Sequence, residues 1–89
     1  MSDDPLAELR ARITANDARI VGLVNERLRL VAELWQLKER VGAPLVDPER
    51  ERALRAQLEA ANDGRLSAAG LERLIATLLE LTKDELGAS

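Results

Sequence analysis

The sequence predicts an all-α chain of three helices, the first very long, that pairs with a second copy of itself as a homodimer. Three observations carry this reading. Apolar residues recur at three- and four-residue spacing from Leu6 to Val41 with no strong helix breaker between them. Caps and prolines then mark two further helix starts. Finally, 89 residues are few for one self-sufficient core, because a chain of this size buries only about 60% of the surface that it exposes when unfolded.

The first helix opens with Asp4 as N-cap and Pro5 at the first helical position, where a missing N–H costs nothing. Its stripe is Leu6, Leu9, Ile13, Ile20, Leu23, Val24, Leu30, Val31, Leu34, Leu37 and Val41, interrupted by polar Asn16, Asp17 and Arg27, with Gly22 the one weak point. "VGAP" at 41 to 44 stops it after about 37 residues, a span of roughly 55 Å. The second helix begins where Asp47 caps and Pro48 follows, with Glu49 and Glu51 suited to the positive end of the helix dipole, and it ends near "NDG". The third starts at the cap Ser67, with Leu66 expected to staple onto Leu71. It should turn Leu71, Leu74, Ile75, Leu78 and Leu79 inward and stop at Gly87. Nothing between residues 1 and 89 reads as a linker or repeat, so the whole is one helical domain. Two short helices cannot cover a stripe this long, and the homodimer is the expected cover.

Composition removes several function classes. Without cysteine or histidine there is no disulfide, no histidine metal site and no imidazole base, so no metal or cofactor is expected. Chemistry must come from carboxylates, Arg, Lys and hydroxyls. A net charge of -3 argues against a nucleic-acid partner, and one aromatic residue, Trp35, read as packing, offers no base-stacking platform. No apolar run approaches the roughly 20 residues of a membrane span, and the acidic opening "MSDDPLAEL" lacks a signal-peptide layout, so a cytoplasmic location is expected.

Arg27 and Lys38 stand in the apolar stripe, where a core wants aliphatic side chains. They point the same way, eleven residues or about three turns plus 20° apart, with Cα atoms roughly 16 Å from each other. Two readings stand. Each cation is paired with a carboxylate and sets helix register, or the two grip one small anion between them. The second gains from the short "VGAPLV" turn, which brings Asp47, Arg50, Glu51 and the N-terminal amides of the second helix back toward Lys38. Thr82, on the side of Leu78 and Leu79, adds a hydroxyl. An apolar pocket holding several cations suits a small dicarboxylate. Arg10 lies about 25 Å and about 100° from Arg27, so it can join such a site only from a neighbouring chain.

The stretches "PLAELRARI", "LVNERLRLVAELWQLK" and "VDPERERALRAQL" resemble the all-helical chorismate mutases, with Arg27 and Lys38 at that family's interval and matching spacing across residues 4 to 58. The resemblance implies an intertwined dimer with two sites, each receiving Arg10 from the other subunit, and rearrangement of chorismate to prephenate in phenylalanine and tyrosine biosynthesis. It assigns Arg10 and Arg27 to the two substrate carboxylates and Lys38 to a carboxylate and the ether oxygen. Arg50 adds positive charge, and Glu51, with the backbone near Asp47, receives the ring hydroxyl. Thr82 stands where the family often has a serine. Leu86 falls where the family carries Gln or Glu at the ether oxygen, with Glu85 as the neighbouring polar residue. With no regulatory domain recognised in the sequence, control would come from a partner enzyme.

That reaction, a [3,3] rearrangement within one molecule, needs neither base nor nucleophile. It needs a reactive conformer and a cation where charge builds on the ether oxygen. On the same fold the alternatives are a mutase of 4-amino-4-deoxychorismate and an isochorismate-pyruvate lyase. Outside it stands a non-catalytic helical dimer with Arg27 and Lys38 as register-setting ion pairs.

Overall fold

The computed structural model describes residues 4–87. Three helices, α1 (Pro5–Val41), α2 (Pro48–Ala61) and α3 (Ala68–Leu86), follow the sequence reading closely. Local chemistry sets their ends. Asp4 accepts from the Leu6 N–H, Asp47 from that of Arg50 and Ser67 from that of Gly70, and each such cap contributes about 1 kcal/mol. Gly42 closes α1 at φ 73°, a left-handed conformation that glycine adopts without a Cβ penalty. The Ala43 N–H then returns to the Lys38 carbonyl at 2.8 Å, tying the turn to the second of the two stripe cations. Leu66 reaches back over Gly70, its Cδ1 lying 2.8 Å from where a Cβ would stand there.

α3 packs on both α1 and α2, whereas α1 and α2 do not approach each other closely. A space is therefore left between the two, floored by α3. The core of the single chain is small: among the described residues Leu71, Ile75 and Thr82 are buried, all on α3. Leu78 and Leu79 are half-buried. Leu74, expected inward, is instead 48% exposed. It sits about 70° around the helix from the centre of the arc shared by Leu71, Ile75, Leu78 and Thr82, and so falls at the rim.

No residue of α1 is buried, and its stripe stays wet, with Leu6 56%, Ile13 59% and Leu23 62% exposed. The extents, 59 × 24 × 18 Å, and the radius of gyration of 17.0 Å follow from α1; a compact chain of this length has about 12 Å. Among the described residues no helix is long and apolar enough to cross a membrane.

Candidate functional site

The space between α1 and α2 is a cavity of about 300 Å³, at the lower end of the roughly 300–1,000 Å³ typical of small-molecule sites. α1 supplies Arg27, Val31, Leu34, Trp35 and Lys38, and the connecting turn supplies Leu45 and Val46. Asp47, Arg50, Glu51 and Leu54 come from the start of α2, and Leu79, Thr82 and Lys83 from α3. Six of the eight residues singled out in the sequence thus meet in one place: Arg27, Lys38, Asp47, Arg50, Glu51 and Thr82. The helical phase explains the α1 pair, and the tight turn after Val41 explains the α2 group.

Each cation is held at one point and left open elsewhere. Arg27, half-buried, donates from Nη1 to Thr82 Oγ1 across the α1–α3 contact. Its guanidinium carries five N–H donors, so most remain for a ligand. Lys38, also half-buried, donates from Nζ to the Leu45 carbonyl at 3.3 Å, which leaves two ammonium protons. Neither forms an ion pair with a carboxylate among the described residues, although other arginines do. Arg29 bridges to Glu33 at 3.1 Å and Arg55 to Glu72 at 3.0 Å. Within the single chain, then, neither cation forms a register-setting ion pair among the described residues, and both face the cavity.

The acidic residues are differently placed. Asp47 is engaged as the cap of α2, accepting from the Arg50 N–H at 3.2 Å. Glu51 lies 3.9 Å from Arg55, on the flank of the Arg55–Glu72 pair. Around the cavity Arg27, Lys38, Arg50 and Lys83 face Asp47 and Glu51, four cations against two carboxylates, which favours a ligand carrying two negative charges. Lys83 was not singled out from the sequence. Its position in the last turn of α3 suits the helix dipole equally well, and the one available signal was adjacency to Thr82. Trp35, read as packing, is half-buried and forms a wall of the cavity.

Two expected site residues stand elsewhere. Arg10 is exposed in the first third of α1 and lines no part of this cavity, as the axial distance from Arg27 requires. Leu86 does not face it either. It lines a neighbouring groove with Ala32, Trp35, Gln36, Glu39 and Leu45. In the single chain Leu86, one turn beyond Thr82, belongs to this groove and is not among the residues that line the cavity. Glu85 is exposed and lines neither space.

Comparison with known proteins bears on this arrangement. A chorismate mutase of Methanocaldococcus jannaschii is 39% identical over 49 residues, 55% of this chain and 50% of that one. A bifunctional chorismate mutase/prephenate dehydratase of Enterobacter agglomerans is 44% identical over 52 residues, 58% of this chain and 13% of that protein. The T-protein of the same organism is 41% identical over 51 residues, 57% of this chain and 14% of that protein. The chain thus matches half or less of the length of these curated relatives. The solved structure of chorismate mutase from Thermus thermophilus superposes with a TM-score of 0.83 at 29% identity, covering 89% of this chain and 99% of that one. The family model described as chorismate mutase type II matches residues 9–85, nearly the whole described chain including every cavity residue. With fold, spacing and cation placement in agreement, the chain belongs to the chorismate mutase type II family.

Proposed function

We propose that this chain is a chorismate mutase, an isomerase converting chorismate to prephenate within aromatic amino-acid biosynthesis. The observation that carries the reading is the pair Arg27 and Lys38, half-buried at one cavity and without carboxylate partners among the described residues. Arg27 takes one substrate carboxylate. Arg10 of a second chain takes the other, and Lys38 bonds a carboxylate and meets the charge that grows on the ether oxygen as the C–O bond breaks and the C–C bond forms. Arg50 lowers the cost of bringing a dianion into the cavity, and Glu51, beside the Asp47 backbone, accepts the ring hydroxyl. The apolar walls Val31, Leu34, Leu54 and Leu79 hold the enolpyruvyl arm over the ring, so binding converts into orientation. A millionfold acceleration corresponds to about 8 kcal/mol, within what a rigid clamp and a preorganised cation supply.

The site is completed in an intertwined homodimer, with Arg10 delivered from the second chain. The exposed stripe supports this. Its aliphatic side chains on α1, from Leu6 to Val41, are mostly about half exposed, and covering the remainder is worth on the order of 10 kcal/mol before the cost of association. One domain per chain, a cytoplasmic location and control through a partner enzyme belong to the same reading. Fusion of a mutase to prephenate dehydratase in one relative, by its name, is consistent with such partnerships.

The test is turnover of chorismate, 4-amino-4-deoxychorismate and isochorismate by purified protein. Chorismate is expected to be converted to prephenate, and preferential conversion of either other compound moves the assignment to that reaction. A transition-state-like dicarboxylate at about 100 times its Kd should add about 2.7 kcal/mol to folding stability. A scaffold dimer would show neither turnover nor this shift. For the C-terminal turn, Leu86→Gln is expected to leave kcat within about twofold of the parent, since the residue lines the neighbouring groove rather than the cavity, and to lower stability by about 1 kcal/mol. A clear rise in kcat would restore Leu86 to the ligand.

A further inference from the structure

We infer that Thr82 serves the reaction as a positioning residue that aims Arg27, and that it does not donate to the ligand. The inference rests on the proposed dicarboxylate site and concerns how that site is held. A threonine hydroxyl has a single proton. At Thr82 both neighbours dictate where it goes. The Leu78 carbonyl, 2.7 Å away, can only accept, so the hydroxyl donates to it. Arg27 Nη1 can only donate, so the hydroxyl oxygen accepts from it. No proton is left for a carboxylate.

The surroundings make this arrangement rigid. Thr82 is 6% exposed, among the few buried residues described. A β-branched side chain in a helix has restricted χ1, and back-bonding to the carbonyl four residues earlier selects the rotamer that points the lone pair outward. Arg27 lies on α1, 55 residues away in sequence. Their bond therefore locks the guanidinium to the α1–α3 crossing rather than to its own helix. A long side chain pinned in this way pays less ordering entropy when it meets a ligand.

The test is a double-mutant cycle on the full chain, read as kcat/KM for chorismate and as Kd for a transition-state-like dicarboxylate. Thr82→Val should lower kcat/KM on the order of ten- to a hundredfold, the worth of a hydrogen bond to a charged group. In an Arg27→Ala background the same change should cost less than about twofold, because there is no guanidinium left to aim. Thr82→Ser keeps the hydroxyl and should stay within about threefold of the parent. An equal loss from Thr82→Val in both backgrounds overturns the assignment, as does a Thr82→Ser variant as impaired as Thr82→Val. Thermal unfolding and circular dichroism verify folding, and Thr82→Ala replaces the valine variant if that does not fold. A parent that binds the dicarboxylate without turning chorismate over refutes the mutase reading alone, and the cycle in Kd still decides the role of Thr82. A parent that does neither refutes both.

Discussion

Lys38→Ala is expected to lower kcat on the order of 10²–10³-fold, the cost of removing one preorganised donor from a developing oxyanion, while KM changes by much less. Lys38 is held at the cavity by a bond to the Leu45 carbonyl at 3.3 Å, and its own carbonyl receives the Ala43 N–H. That one bond keeps the ammonium at the cavity, and in the proposed reaction the charge it meets on the ether oxygen exists mainly in the transition state. An interaction of that kind appears in kcat rather than in ground-state binding. Steady-state kinetics on the purified variant checks this. Unchanged kcat with a raised KM would reduce Lys38 to a carboxylate anchor. Lys38→Arg should recover only part of the loss, because a planar fork does not fill the place of a compact ammonium. Stability should change little, since the residue is half-buried and makes no ion pair among the described residues.

Arg10→Ala and Arg27→Ala chains are each expected to be nearly inactive alone and to regain activity when unfolded together and refolded. In the proposed dimer each site takes Arg27 from one chain and Arg10 from the other. A mixed dimer of the two variants then has one site with both arginines and one with neither. Random assembly makes about half the dimers mixed, so about a quarter of the parent's sites return. Recovery near that level places Arg10 across the interface. Absence of recovery, with mixed dimers confirmed by mass, would place both arginines in one chain, against the axial distance that separates them on α1. Sedimentation at micromolar concentration should show dimers throughout, and a folded monomer there would remove the shared site altogether.

Much of the architecture was legible in the sequence because its determinants are local. Asp4, Asp47 and Ser67 cap within two or three residues of themselves, and Gly42 and Gly87 end helices through their own φ. The common azimuth of Arg27 and Lys38 is a property of one helix and needs no partner to define it. The mismatch between a 37-residue helix and two short ones was likewise visible as length, and it emerges as an exposed stripe.

What depended on tertiary structure was every relation between helices. Sequence left Arg27 and Lys38 open to carboxylate pairing, and only packing brings Thr82 to one and Leu45 to the other in place of an acid. The phase of α3 against α1 decided which of its neighbours reach the cavity. Leu86 stands only about 40° around α3 from Thr82 but about 6 Å further along its axis, and that axial step takes it from the cavity that Thr82 and Lys83 line to the groove beside Trp35. Periodicity orders residues around one axis, but the rotation of that axis against its neighbours is chosen by how Leu71 and Ile75 bury themselves, a many-body packing preference that no single segment encodes.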